Sequence, residues 1–290
     1  ISAGKFCIAD YYDDNKFSHD CRTQFMNWSL MDNTGWDYPS NTRGYTWGMV
    51  AEFFRPKWAA RISSVLVPTE PNGMELDENF TKAHSETFEA ERKLSFGKHS
   101  GKIRLLLYHT ISKAPNYRDA INAMSHGDSS LIPIFEGKQE WDTYGGQKYG
   151  YGISFDHEIT DNIGFFARTS WNDGHTSIWA FTEVDQSVSG GISICMKKLK
   201  RPDDNLGIAF AVDDISNDHR DYLNAGGKTF DLGDGKLTRY GLEQIIETYY
   251  RCRLHQTLWL SLGYQYMINP GYNKDRGPVN VVSVRVHAEI

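Results

Sequence analysis

The sequence has no hydrophobic run long enough to form a transmembrane helix. No stretch of about 18 consecutive apolar residues occurs anywhere along the chain. The mean hydropathy is -0.54. A helical membrane protein is therefore excluded. A membrane protein built from strands is not excluded, because only alternate residues of a membrane-spanning strand need to be apolar.

Cysteine and proline are also scarce, and positive charges do not outnumber negative ones. The four cysteines (Cys7, Cys21, Cys195 and Cys252) include no Cys-x-x-Cys pair, so they give little support to a zinc site or a disulfide framework, and only a Cys7–Cys21 bridge stays open. The formal net charge of -6 argues against a nucleic-acid-binding protein, which needs a basic face. With 26 Gly against 9 Pro and 13% aromatic residues, the composition favours many strands joined by turns.

The C-terminal segment shows the clearest pattern. From Val282 to Ile290, apolar residues alternate strictly with the polar residues Ser283, Arg285, His287 and Glu289. Because successive side chains of a strand point to opposite faces, this alternation predicts a strand with one apolar face and one polar face.

The same alternation recurs along the chain. It predicts strands at about 1–9, 45–55, 57–68, 83–96, 100–113, 149–155, 163–171, 188–194, 206–212, 246–254, 258–266 and 282–290. Short turns at 55–57, 158–162 and 254–256 alternate with long connections at 10–44, 67–82, 114–145, 172–186 and 214–242. Two helix-like stretches, 117–126 and 218–225, lie in the long connections. Long loops on one rim and short turns on the other are typical of an outer-membrane barrel.

These features predict an all-β fold, a single-domain antiparallel transmembrane β-barrel over 1–290 with long extracellular loops and short periplasmic turns. The alternative is a soluble β-sandwich or soluble barrel whose apolar face fills a core. Sandwich strands average about five to six residues, so runs of about ten residues count against that alternative. Periodicity alone cannot tell which face points inward.

The end of the sequence resembles a known family. Segment 264–279 reads YQYMINPGYNKDRGPV and is followed by a strand containing Val-Arg-Val-His-Ala-Glu. Together they resemble the end of the carbohydrate-selective porins (the OprB family), which has the form Q-x-I-x-N-P-G-Y-N-x-D-R-G-P-V and then an R-x-H-x-E strand. Segments 4–15, 19–28 and 217–246 resemble interior parts of the same family, so the resemblance covers nearly the whole chain.

Two features depart from the family pattern. These porins usually finish on Phe, whereas this sequence finishes on Ile290, and the family is described as sixteen-stranded, whereas about twelve strands are predicted here. Because the match begins inside the family pattern, we expect the chain to be a fragment that lacks about four N-terminal strands. Unpaired sheet edges are costly in lipid, so function is argued for the intact protein.

The resemblance implies a porin of the Gram-negative outer membrane that lets small sugars diffuse through a water-filled lumen, without catalysis, cofactor or metal. Its partners would be small sugars and outer-membrane lipid, and a homotrimer is the assembly expected among porins. Porins fold a long loop into the lumen, and segment 10–44, rich in charged and aromatic residues, is the candidate. Sugars need hydrogen-bonding groups for their hydroxyls and aromatic rings for their apolar face.

The candidate constriction residues come from this segment and from the polar strand faces. They are Asp13, Asp14, His19, Arg22, Gln24, Trp28, Arg43, Arg104, Arg168, Arg251 and Arg285. We expect Arg22 and Arg43 to face the strand arginines across the channel. The alternatives are an ordinary surface loop for 10–44 and a plain wall charge for any single arginine. Asp13-Asp14-Asn15 lacks the spacing of an EF-hand.

Two other function classes stay open. One is a soluble β-rich carbohydrate-binding protein, which the aromatic residues and polar loops would suit. The other is a non-conducting structural barrel of the outer membrane. The sequence contains no GxSxG, HExxH or P-loop motif, so no pattern indicates an enzyme.

Overall fold

The computed structural model describes residues 1–289, which form one sheet of twelve strands, each paired antiparallel with its neighbours in sequence. The strands are β1 (Ser2–Phe6), β2 (Thr46–Phe54), β3 (Trp58–Val65), β4 (His84–Phe96), β5 (His99–Ser112), β6 (Gly146–Thr160), β7 (Ile163–Asn172), β8 (Gln186–Cys195), β9 (Asn205–Asp214), β10 (Glu243–His255), β11 (Leu258–Ile268) and β12 (Val279–Ala288). All twelve predicted strands are confirmed. Ile290, the predicted end of the last strand, lies outside the described residues.

The connections differ in length at the two rims. Turns of two or three residues at 55–57, 97–98, 161–162 and 256–257, together with one nine-residue connection at 196–204, lie at one rim, the short-turn rim. The connections at the other, long-loop rim are 7–45, 66–83, 113–145, 173–185, 215–242 and 269–278. This asymmetry agrees with the sequence analysis.

The α-helices all lie in the long connections. They are α1 (Trp28–Met31), α2 (Tyr117–Ser125), α3 (Ile132–Phe135) and α4 (Asn217–Asn224). The helix-like stretches at 117–126 and 218–225 correspond to α2 and α4. The sequence did not indicate α1 or α3, because each has only four residues, too few to show a period. No helix among residues 1–289 is both long and apolar enough to cross a bilayer.

The structure decides which face of the sheet points outward. On β5, Leu105 is 41% exposed, whereas its neighbour Arg104 is 1% exposed. Most other strands show the same division, and outward-facing large apolar side chains include Trp47, Met49, Ile62, Phe88, Leu107, Ile153, Phe210, Leu262 and Val284. Buried polar residues of the inner face include Arg61, Glu89, Ser154, Asp156, Arg168 and Glu247. A soluble sandwich would show the reverse arrangement, so that alternative is wrong.

The four cysteines, at positions 7, 21, 195 and 252, are free thiols. The Cys7–Cys21 bridge that the sequence left open is therefore not formed. The sheet is held by its backbone ladder and by the packing on its inner face.

Because the outward face is apolar, we expect a charged side chain placed on it to destabilise the protein. The loss of stability should depend on how deep in the bilayer the residue lies. Leu262 lies in the middle of β11 with its side chain 55% exposed on the outer face, and Leu258 begins the same strand on the same face. In lipid vesicles, we expect Leu262→Arg to lower the free energy of unfolding by about 2–4 kcal/mol and Leu258→Arg by no more than about 1 kcal/mol. Denaturant unfolding measures both. Equal costs at the two positions would contradict the assignment of this face to lipid.

Candidate functional site

Residues 10–44, here called the inserted segment, lie against the polar inner face of the sheet. Asn15 Nδ2 donates to Ser154 Oγ of β6 at 3.1 Å. The backbone N–H of Met26 donates to Glu247 of β10 at 2.7 Å. From β12, Arg285 donates to the carbonyl oxygen of Cys21. Strands far apart in the sheet thus contact one segment, which lies inside the curve of the sheet.

Aromatic packing anchors this segment to the wall at two places. Near β2, β3 and β5, Tyr12, Trp36 and Tyr38 form one cluster with Ile8, Val50, Val65, Leu106 and Tyr108. Further along, Phe25 packs against Phe166 and Tyr249, with ring centroids 5.6 and 5.0 Å away. Burial of large aromatic rings contributes much of the packing energy of an interior. The inserted segment is therefore a packed part of the interior, which a mobile surface loop would not be.

The most buried charge of the segment is Asp13, which pairs with Arg168 of β7. Arg168 Nε lies 2.9 Å from Asp13 Oδ2, and both side chains are almost completely buried. The same carboxylate accepts the backbone N–H of Asn33 at 2.7 Å. Asp13 has a φ of 53°, a left-handed conformation that Asp tolerates better than most residues. The ion pair therefore fixes a tight bend of the inserted segment to the wall.

A row of alternating charges continues from this pair across the wall. The backbone N–H of Asp13 donates to Glu89 Oε2 at 2.7 Å, and Arg61 Nη1 donates to Glu89 Oε1 at 2.7 Å. On the neighbouring strands, Arg104 pairs with Glu91 at 3.1 Å and with Asp156 at 2.7 Å. We call Arg61, Glu89, Glu91, Arg104 and Asp156 the charged row. Each charge in it has an opposite partner, as buried charges require.

Several predicted constriction residues have local structural partners. Gln24 Oε1 accepts the backbone N–H groups of His19 and Asp20 at 2.8 and 3.1 Å. His19 Nδ1 lies 3.5 Å from Asp32 Oδ1. Burial alone would lower the pKa of His19, but Asp32 raises it above the usual value. These contacts shape the bend of the segment around residues 19–24.

Contrary to the prediction from the sequence, Arg22 and Arg43 do not face the strand arginines across the sheet. Arg22 is exposed and pairs with Asp20 at 2.7 Å, and only its neighbour Cys21 contacts a strand arginine, Arg285. Arg43 is exposed in a turn at the long-loop rim, where its backbone N–H donates to Asn41 at 3.0 Å. Carboxylates already neutralise Arg104 and Arg168, and like charges gain nothing by meeting.

Three other predicted residues have an opposite charge or an aromatic ring beside them on the inner face. Asp14 faces Lys102 at 3.4 Å, and although burial opposes the shift, Lys102 holds the pKa of Asp14 below its usual value. The guanidinium of Arg251 lies 4.8 Å from the ring centroid of Trp259. The Arg285 guanidinium lies 5.7 Å from the ring of Tyr249.

At the long-loop rim, the inserted segment borders a cavity of about 470 Å³, here called the rim cavity. It is lined by Asn27, Trp28, Ser29, Asp32, Asn33, Thr34, Tyr38, Asn72, Phe181, Thr182, Glu183, Val184, Phe230, Asp231, Leu232, Glu243, Gly271 and Tyr272. Of the predicted constriction residues, only Trp28 belongs to it. Rings and hydroxyl, amide and carboxyl groups meet there, a mixture that suits a sugar.

The comparisons with known proteins agree with this geometry. The family model of the carbohydrate-selective porins, OprB family, matches residues 1–289. The chain belongs to this family. No curated protein matches the chain. Family membership makes it a porin through which sugars diffuse, a transport channel.

Solved structures of two porins resemble this OprB-family chain. OprB of Pseudomonas putida, solved at high pH, is 19% identical with a TM-score of 0.76, and the match covers 99% of this chain and 68% of that one. The outer-membrane channel DcaP of Acinetobacter baumannii is 12% identical with a TM-score of 0.51, covering 98% of this chain and 68% of that one. At these identities the likeness shows the fold alone.

The rim cavity of this porin contains residues that the sequence analysis missed. Phe181, Glu183 and Asp231 come from two long connections in which the sequence predicted no constriction residue, and Glu243 begins β10. No periodicity or motif marks these residues in the sequence, because they come together only when the connections fold over the rim. Burial raises the pKa of Glu183 to about 7, while His219 beside it opposes the shift.

The Asp13–Arg168 pair predicts a large effect of one substitution. In this porin, Asp13→Ala leaves Arg168 buried without its opposite charge, so we expect the free energy of unfolding to fall by about 3–5 kcal/mol. The matched control in the same segment is Asp20→Ala, which removes the exposed pair with Arg22 and should cost no more than about 1 kcal/mol. Denaturant unfolding in detergent compares the two. A cost for Asp13→Ala as small as the control would contradict the anchoring role of this pair.

Proposed function

We propose that this protein lies in the outer membrane and passes small sugars along the polar inner face, with the inserted segment as the constriction. The observation that carries the proposal is the combination of two features. The outward face is apolar, as lipid requires, and a polar, aromatic segment is packed across the inner face. Diffusion through such a lumen is controlled by its width, its charge and weak contacts at the narrowest point.

The charged row forms a wall of low net charge behind the proposed path. Its side chains are buried and pair with one another across neighbouring strands, so their opposite charges largely cancel. Such a wall holds no single strong site for a charged or an uncharged solute. Weak contacts at the path then let a sugar leave as readily as it enters.

Asp14 and Lys102 are the residues that we place at the constriction near the short-turn rim. They line a cavity of about 380 Å³ with Lys16, Lys93 and Asp156. Both side chains keep access to solvent, unlike the sealed charges of Arg104 and Arg168. At the long-loop rim, we place Trp28 beside the sugar path. Arg251 and Arg285 are proposed as inner-wall charges that face the path.

Lipid and assembly complete the proposal. The outward belt of aromatic and aliphatic side chains is the surface that we assign to outer-membrane lipid. The homotrimer expected from the sequence stays a prediction, which crosslinking in native membranes followed by mass analysis would test.

Single-channel conductance in a planar bilayer tests the proposed function. With the full-length protein, we expect open steps whose current falls saturably as glucose and then a disaccharide are added, because sugar that occupies the constriction excludes ions. Open steps that no sugar reduces would indicate a channel without a sugar path. If folded, inserted protein gives no steps at all, a non-conducting structural barrel is the better assignment.

The charge at the constriction predicts a change in ion selectivity. Asp14→Asn removes a negative charge beside Lys102, so we expect the reversal potential in a salt gradient to shift toward anion selectivity. The matched control is Asp142→Asn, because the Asp142 side chain is 98% exposed on the connection 113–145 and lies outside the cavity that Asp14 and Lys102 line. An equal shift for both variants, or none for Asp14→Asn, would show that Asp14 does not face the ion path.

A further inference from the structure

The rim cavity has an aromatic wall that is both exposed and held in place. The Trp28 side chain is 52% exposed, yet it lies in a connection on the inner side and does not face lipid. Its ring lies 5.0 Å from Phe181 at 73°, and Phe181 lies 4.4 Å from Tyr38 at 81°. A large apolar ring left open to water on a fixed support is a surface on which the apolar face of a pyranose ring can pack.

The backbone around Trp28 keeps this ring in position. Asn27 Oδ1 accepts the backbone N–H of Ser29 at 3.0 Å and caps α1. The backbone N–H of Asn27 in turn donates to Glu247 of the wall at 2.9 Å. The aromatic wall is therefore organised before a ligand arrives, which lowers the entropy cost of binding.

Several polar atoms of the lining lack hydrogen-bond partners. Thr34 Oγ1, Thr182 Oγ1 and Glu183 Oε1 are buried and accept or donate no hydrogen bond among residues 1–289. Thr34 and Glu183 are each only 4% exposed. Buried polar groups are almost always satisfied, so unpartnered groups in the residues that line a cavity are candidates for the hydrogen bonds of a ligand. Sugar hydroxyls both donate and accept, so they match such groups in chemistry.

The lining also carries charge of only one sign. It contains Asp32, Glu183, Asp231 and Glu243, and no Lys, Arg or His is part of it among the described residues. The basic groups beside it include Arg276, whose guanidinium lies against Gly271 and pairs with Asp234 outside the lining, and two histidines. His19 lies 3.5 Å from Asp32, and His219 lies 3.4 Å from Glu183 while also facing Asp185 at 3.1 Å. Burial raises the pKa of both Glu183 and Glu243 to about 7, so near neutral pH these two groups carry only part of their negative charge. One imidazole shared between two carboxyl groups cannot neutralise both, so the lining as a whole keeps a net negative charge.

We propose that the rim cavity is a sugar-binding vestibule that prefers amino sugars to neutral hexoses and rejects sugar acids. The inference rests on the proposed function, because it makes this cavity the entrance to the same sugar path. The pyranose ring packs on Trp28, and its hydroxyls bond the unpartnered threonine and glutamate oxygens. The ammonium group of an amino sugar supplies the cation that the four carboxyl-bearing residues lack, whereas a carboxylate would be repelled.

Isothermal titration of the detergent-solubilised protein with three probes at one neutral pH tests the charge preference. We expect glucosamine to bind about five- to tenfold more tightly than glucose, and glucuronate to give no measurable binding. Because part of the attraction is screened by ions, raising the salt concentration should reduce the ratio between glucosamine and glucose. Equal affinities for the three probes, or tighter binding of glucuronate, would overturn the proposal.

Substitutions locate the site. Trp28→Ala should weaken the binding of glucose and glucosamine together by about five- to tenfold, while Trp28→Phe retains a ring and most of the affinity. The matched control is Trp141→Ala, because Trp141 lines a separate cavity between other connections. Loss of binding in Trp141→Ala with none in Trp28→Ala would place the site elsewhere and overturn the assignment.

Two further variants separate charge from packing. Asp231→Asn should lower glucosamine affinity toward that of glucose and leave glucose affinity unchanged within about twofold. Glu183→Gln removes a charge and also alters an acceptor of sugar hydroxyls, so it should lower glucosamine affinity more than glucose affinity. Asp142→Asn, outside the cavity, should leave both affinities unchanged. If the two cavity variants keep the preference for glucosamine, the carboxyl groups are not its cause and the proposal fails.

Conductance of the same proteins distinguishes this proposal from the proposed function. Wild-type protein that conducts and is blocked by glucose, yet shows no preference among the three sugars, refutes the vestibule and leaves the porin assignment intact. Wild-type protein that binds glucosamine at the rim cavity but gives no conductance refutes the sugar path and leaves a binding site on a non-conducting barrel. The first outcome thus contradicts only the vestibule, and the second contradicts only the sugar path.

Discussion

Lipid offers no hydrogen bonds, and the proposed place of the sheet in the outer membrane makes this the main constraint on the structure. A chain that crosses a bilayer as strands must pair its backbone groups across a sheet and turn its apolar side chains outward. The twelve strands do both: every strand is hydrogen-bonded to its sequence neighbours, and residues such as Leu105 and Leu262 are exposed on the outer face. The polar side chains are then forced to the inner face, where they must be paired or reach water.

The inner face meets that requirement with charge pairs and with the inserted segment. Arg104 lies between Glu91 and Asp156, and Arg168 is matched by Asp13 from the segment itself. The segment thus packs against the wall and supplies the counter-charge that β7 needs. Removing its carboxylate would leave a buried cation, so the proposed constriction and the stability of the wall depend on the same pair.

The rim is organised by contacts between connections that are distant in sequence. Tyr117 of α2 stacks on His219 of α4, with ring centroids 4.6 Å apart. Asp275 and Arg276 each pair with a residue of connection 215–242, Arg239 and Asp234, and so tie the loop before β12 to its neighbour. These ties hold the carboxyl-bearing residues of the rim cavity around Trp28. A cavity made this way depends on several connections at once, and no single one of them encodes it.

The sequence by itself determined the strands, their number and the asymmetry of the rims, because alternation with a period of two is a local property. It also indicated that segment 10–44 is the long connection that folds against the inner face. It could not decide which face points outward, since an inside-out barrel and a soluble barrel share one periodicity. Nor could it pair Asp13 with Arg168 or exclude Arg43 from the inner face, because those outcomes depend on how a long connection bends. Only the tertiary structure, which brings distant residues within hydrogen-bond reach, decided the orientation of the sheet and the lining of the rim cavity.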